Sequence, residues 1–292
     1  MITILKYCLR AALWLFCAEI NIKNKYLLNT GGPLLIIANH PNSFLDAIII
    51  GSRYNRKINF LARGDVFTKK HHRFLLRLLN MIPVYRLREG KQFLHLNEYA
   101  FVETKRLLKN NEAVLIFIEG TCLNTNTLQP FKKGTARILQ TCHEENFFIQ
   151  IHLAGIAYNN FKGIGKRVNL CLENFIQNTP IVTAKDRVDF NNAVFSKLST
   201  LIIPTTHTPP IKKTPLYYFN FPFYTTLYSF VDKKTKGTVF FDSVLFCLLF
   251  FLYPLYLLII IFLLQYISIP QPIIFGTLAL VFLFRNQTLS TS

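Results

Sequence analysis

Between Gly31 and about Leu172, short apolar runs alternate with amphipathic stretches. Pro33–Ala38, Lys57–Ala62, Ala113–Ile118 and Phe148–Leu153 are short and mostly apolar, the pattern of strands buried in a sheet. Val66–Asn80, Gln92–Lys109 and Gly134–Cys142 carry helical patterns. Strands alternating with helices predict an α/β domain, a mainly parallel mixed sheet flanked by helices. Residues 173–235 are proline-rich and irregular, and the pattern assigns them no elements.

The two ends differ from this middle. Val244–Leu264 is 21 residues without a charge; as a helix it spans about 31 Å, enough for a bilayer core. Gln265–Pro272 reads as a turn and Ile273–Phe284 as a second, shorter apolar run. Lys233, Lys234 and Lys236 precede the pair and Arg285 follows it. Positive charge at both ends favours a C-terminal transmembrane hairpin with its ends in the cytoplasm, a re-entrant second segment being the alternative. At the N-terminus, Lys6, Arg10 and Glu19 interrupt an apolar run in positions wrong for a signal peptide. An amphipathic helix lying on the bilayer and an ordinary packing helix fit this run equally. The expected organisation is an N-terminal membrane-associating segment (1–30), a domain (31–235) and a membrane hairpin (236–292).

Charge sharpens this picture. The formal net charge is +18, and after Gly237 the only basic residue is Arg285. A basic domain beside an apolar tail suits an anionic membrane face, where each nearby Lys or Arg contributes about 1 kcal/mol. Nucleic acid, the rival polyanion, is not expected, since no zinc spacing or RNA-binding aromatic signature is present. The six cysteines are scattered, with no C-x-x-C pair. That pattern predicts neither a disulfide framework nor a metal site, and it points to a reducing compartment.

Three segments carry candidate chemistry. Asn39-His-Pro-Asn-Ser-Phe-Leu-Asp46 follows the first buried strand, so His40 and Asp46 fall at the strand's C-terminal end, where open α/β sheets bind ligands. A carboxylate-held histidine can take a proton from an alcohol. Ser43 to Asp46 also fits a helix capping box, which needs no catalysis. Ile82-Pro-Val-Tyr-Arg86 ends a strand-like run in an arginine able to grip phosphate, or simply to face water. Phe117-Ile-Glu-Gly-Thr121 sets Glu119 directly after an apolar strand, either as a polyol-binding corner or as a plain turn. Lys132-Lys133-Gly134 follows, as further phosphate contacts or as basic surface.

NHPNSFLD, IPVYR, FIEGT and FKKG, in this order and spacing, resemble the phospholipid/glycerol acyltransferase family over about Gly31–Tyr158. The family places four residues between its histidine and aspartate; this chain places five, a longer spacing similar to that of fungal glycerol-3-phosphate acyltransferases and related bacterial sequences. Ile118 stands where the family has proline, and Cys122 where it usually has arginine or serine. A fourth family block would fall at Ile151–Ile156, where His152 and the lack of proline make a poor match.

The resemblance implies an O-acyltransferase with His40 as base and Asp46 orienting it. Arg86, with Lys133, would neutralise the acceptor phosphate, and Glu119, Gly120 and Thr121 would position the glycerol. Acyl-CoA or acyl carrier protein would be co-substrate, with no metal or other cofactor. The implied acceptor is glycerol-3-phosphate or 1-acylglycerol-3-phosphate, at the cytoplasmic face of a membrane. Another lysolipid acceptor, such as a lyso-amino-lipid, or a catalytically silent lipid-binding protein of the same fold, are the alternatives.

Overall fold

A computed structural model of the chain describes residues 2–67, 70–85, 97–177, 179–204 and 215–266. Its centre is one seven-stranded sheet in the order β1-β7-β6-β2-β5-β3-β4. The strands are β1 (Cys17–Lys23), β2 (Leu34–Ala38), β3 (Ile58–Arg63), β4 (Met81–Val84), β5 (Ala113–Phe117), β6 (Gln150–Tyr158) and β7 (Lys166–Phe175). Among the described residues only the β6–β7 pair is antiparallel; the remaining neighbours run parallel. The helices are α1 (Ile2–Phe16), α2 (Phe44–Arg53), α3 (Lys70–Leu78), α4 (Asn97–Lys109), α5 (Gly134–Glu144), α6 (Ala184–Leu201), α7 (Pro215–Thr235) and α8 (Phe241–Tyr266).

Strand β2 is buried along its whole length, flanked by β5 and β6. Its period of two divides the core between the sheet's faces. Leu34, Ile36 and Ala38 join the layer containing Leu13, Phe16, Ile49, Val231 and Phe246, from α1, α2, α7 and α8. Leu35 and Ile37 join the layer containing Leu107, Leu139 and Phe190, from α4, α5 and α6. The result is a three-layer α/β/α arrangement with β2 in the middle. The predicted strands at 33–38, 57–62 and 113–118 are all present; the fourth begins at Gln150 and runs on to Tyr158.

Two regions differ from the sequence pattern. Residues 17–23, grouped above with an N-terminal appendage, form one of the sheet's two outer strands, parallel to β7. Glu19, Asn21 and Lys23 alternate with Ala18, Ile20 and Ile22, a period of two that the apolar run before it obscures. The irregular region 173–235 supplies the end of β7, α6 and α7.

In α1, Lys6 Nζ donates to the Tyr54 carbonyl at 2.7 Å and Arg10 Nε to the Ser52 carbonyl at 2.7 Å. The charges that break the apolar run therefore satisfy the carbonyls at the C-terminal end of α2. Leu13 and Phe16 pack into the core, whereas Ile4, Tyr7 and Trp14 are exposed. Helix α8 is long and apolar enough to cross a membrane. Its first turns are buried against the domain, and Phe251, Leu258, Phe262 and Tyr266 are exposed farther along. The second run expected in the hairpin, 273–284, lies outside the described residues.

Candidate active site

Strand β2 ends at Ala38, and the next two side chains secure the turn. Asn39 is clamped to β6: its Nδ2 donates to the Ile156 carbonyl at 2.9 Å and its Oδ1 accepts the Ile156 N–H at 2.8 Å. The His40 ring stacks on Phe117 at the end of β5, with centroids 3.8 Å apart and planes within 11°. Its Nδ1 lies 2.9 Å from Oδ2 of Asp46, which is fully buried in the first turn of α2. An ionised carboxylate only accepts, so Nδ1 carries the proton and Nε2 keeps its lone pair.

Asp46 is held from three sides. Besides His40, Oδ2 accepts the Asn42 N–H at 2.7 Å, and Oδ1 accepts the Tyr158 hydroxyl at 2.6 Å. The capping-box alternative is not what forms. Ser43 is the N-cap of α2 but makes no side-chain cap hydrogen bond, and the Asp46 carboxylate reaches Asn42. Between histidine and aspartate, Ser43 has a φ of 52° and a ψ of −138°, where residues other than glycine rarely go. Such strain persists only when neighbours over-determine it. Here the Ser43 N–H donates to Cys122 Sγ at 2.9 Å. Burial, with Asp46 nearby, pushes the Cys122 thiol up to about 12. Cys122 thus acts as a hydrogen-bond acceptor at physiological pH and not as a nucleophile.

Glu119, just past β5, is 3% exposed. Its Oε2 accepts the His40 N–H at 3.0 Å and its Oε1 the Gln129 N–H at 3.1 Å. Burial raises its pKa, and the two backbone donors partly offset that. In this structure the Glu119 carboxylate supports the His40 backbone. Gly120 has a φ of 60°, and a Cβ there would come within 2.9 Å of the Lys132 side chain. Thr121 is half-buried beside it.

Lys133 is the N-cap of α5 and lines a separate cavity of about 370 Å³ with Arg187, Asn191 and Phe195 of α6. Lys132, its neighbour, is the lysine packed on Gly120. Arg86 lies outside the described residues. His152, at the poorly matching fourth block, is a core residue. Its Nδ1 is 3.1 Å from the Tyr54 hydroxyl, and burial lowers its pKa to about 4.

Sequence reasoning missed Asn39, Asn42 and Tyr158. Asn39 and Asn42 lie inside the motif already singled out, and Tyr158 ends a strand whose extent the pattern cut short.

A histidine held by a buried carboxylate at the C-terminal end of the central strand is able to take a proton from a hydroxyl. Residues 19–159, about half of the chain, match the family model described as Acyltransferase, and every residue of the His40–Asp46–Tyr158–Glu119 constellation lies within that stretch. The chain thus carries an acyltransferase-family domain. The crystal structure of the 1-acyl-sn-glycerophosphate (LPA) acyltransferase PlsC from Thermotoga maritima is similar at 17% identity, with a TM-score of 0.48 over 66% of this chain and 75% of that one. No curated protein matches the chain.

Proposed function

We propose that this protein moves a fatty acyl group from acyl-CoA or acyl carrier protein to a hydroxyl of glycerol-3-phosphate or 1-acylglycerol-3-phosphate, in phospholipid synthesis. The observation that carries the reading is the 2.9 Å contact between His40 Nδ1 and the buried Asp46, within a family whose reaction needs an activated hydroxyl. His40 Nε2 takes the proton of the acceptor hydroxyl as its oxygen attacks the thioester carbonyl carbon. The new C–O bond forms and the C–S bond breaks. The leaving thiolate takes the proton back from His40. Asp46 fixes the tautomer and stabilises the transient imidazolium. Glu119 holds the His40 backbone, while Gly120 and Thr121 border the acceptor. Arg86 neutralises the acceptor's phosphate, together with Lys132, whose side chain packs on Gly120.

The site works at a membrane surface. Phe16 of α1 and Phe246 of α8 meet edge-on at 5.3 Å, so the exposed apolar residues of both helices belong to adjoining elements. Lys233 and Lys234, in the last turn of α7, precede α8, and basic residues beside a span support a cytoplasmic face for this end.

The test is acyl transfer by the detergent-solubilised chain from radiolabelled acyl-CoA or acyl carrier protein, with glycerol-3-phosphate and 1-acylglycerol-3-phosphate compared. His40→Ala is expected to lower kcat by roughly 10²–10⁴-fold, the usual contribution of a general base. A product formed equally by His40→Ala removes the general-base assignment. A product formed only with a different lysolipid removes the acceptor assignment.

A further inference from the structure

We propose that the first turn of α8 is a working part of the active site, with Asp242 as a positioning residue for His40 and Asp46. The proposal rests on the acyl-transfer reading above and goes beyond it, because α8 lies outside the stretch that matches the family model.

Asp242 is fully buried. Its Oδ2 accepts from Asn42 Nδ2 at 2.7 Å and from Lys166 Nζ at 2.5 Å, and its Oδ1 accepts the Gly163 N–H at 2.8 Å. Asn42, also fully buried, is the residue whose own N–H holds the Asp46 oxygen that faces His40. A continuous chain of hydrogen bonds therefore runs from α8 to the catalytic ring. One residue on, Ser243 Oγ accepts the Leu45 N–H at 3.2 Å. That N–H belongs to the first turn of α2, where backbone donors lack helical partners. The cap that Ser43 does not provide is thus supplied by a serine 198 residues away in sequence. Together with Cys122, which accepts from Ser43, these contacts pin the loop on both sides of its strained residue.

The chemistry of the Lys166–Asp242 pair bears on its purpose. Both side chains have no exposed surface. Burying an ion pair costs desolvation that the attraction often fails to recover, and apolar residues of similar size hold a core as firmly. What the carboxylate adds is direction, two oxygens aimed at Asn42 and Gly163. The geometry assigns it to orienting the catalytic loop.

The experiment uses the full chain in phosphatidylcholine–phosphatidylglycerol vesicles. Three variants are compared: the double change Lys166→Met with Asp242→Leu, the double change Lys166→Met with Asp242→Asn, and Asn42→Ala. The first is expected to unfold near the wild-type temperature. Its kcat should fall roughly 10- to 100-fold, the value of one charge-assisted hydrogen bond, with KM for both substrates within about threefold. The asparagine version keeps an oxygen for Asn42 and should recover most of that loss. Asn42→Ala cuts the same link from the other side and should reproduce the loss even if the leucine variant fails to fold.

A second readout does not depend on turnover: amide hydrogen exchange in residues 40–46 should accelerate at least about tenfold in the leucine variant or in Asn42→Ala, with the amides of β5 unchanged. Wild-type kcat in Asn42→Ala or in a folded leucine variant, or unchanged exchange in the loop, overturns the proposal. Activity that survives His40→Ala sinks the general-base reading, and the exchange result then still decides whether α8 orders the loop.

Discussion

Replacing Tyr158 by Phe removes one oxygen and nothing else, so its effect can be worked out from the site. The hydroxyl donates to Asp46 Oδ1 at 2.6 Å, and both groups are buried. Phe leaves that carboxylate oxygen without this donor, and losing a hydrogen bond to a charged group costs about 1.5–3 kcal/mol. For a domain of this size that lowers the unfolding midpoint by roughly 3–12 °C. Tyr54→Phe is the internal control. Its hydroxyl meets the neutral ring of buried His152 at 3.1 Å, and a neutral bond contributes only about 0.5–1.5 kcal/mol. Thermal unfolding of the full chain in detergent should therefore rank Tyr158→Phe as the more damaging. Acyl transfer assayed well below both midpoints should fall in Tyr158→Phe alone, by roughly tenfold in kcat, because only that hydroxyl steadies the partner of His40. Equal destabilisation by the two changes would refute the charge-assisted argument. An unaltered kcat in Tyr158→Phe would remove Tyr158 from the catalytic constellation.

Further outcomes follow from neighbouring residues. Buried His152 resists protonation down to about 4, whereas the unfolded chain takes up that proton near 6.5. The unfolded state thus binds more protons in this window, and stability should decline as pH falls from about 6.5 to about 4, by up to about 3 kcal/mol. Urea unfolding at pH 7 and 4.5 should show His152→Gln losing less over that interval than the wild type. Ser43→Gly relieves a positive φ and should raise stability by roughly 1 kcal/mol, read as a higher urea midpoint; a fall would mean that the Ser43 side chain supports the loop. Cys122, held near 12, should resist iodoacetamide at pH 8 while exposed Cys8 reacts, and Cys122→Ser should keep kcat within about threefold because a hydroxyl also accepts from Ser43. Mass spectrometry of labelled peptides decides the first point and the transfer assay the second.

Residues 34–38 and 113–117 were legible as strands because both faces of the sheet are covered there, which makes their sequences apolar throughout. β1 and β7 were not, since each has polar residues on alternate positions and lies toward the sheet's edge. His40 and Asp46 were legible as a pair, although six positions apart on a loop and a helix, because their motif is contiguous. Tyr158, Lys166 and Asp242 were not. Each comes from a different element, and only the packing of β6, β7 and α8 beside the catalytic loop brings them together. Glu119 was found for its odd position after an apolar strand, but its bonds to the His40 and Gln129 N–H groups could not be read there, because those partners are backbone amides.

The burial of the first turns of α8 bears on how deep the enzyme sits. Between Phe251, the first of its strongly exposed apolar residues, and Tyr266, the helix offers about 24 Å of length at about 1.5 Å per residue. A bilayer's hydrocarbon core is about 30 Å thick. If the described part of α8 spans it, the missing several ångströms come from the turns that the domain encloses. About four residues before Phe251 supply that length, so Asp242 and the loop it holds lie roughly 7 Å farther out, at the level of the headgroups. A lysolipid acceptor would reach the base by sliding laterally, with its chain still among its neighbours in the leaflet.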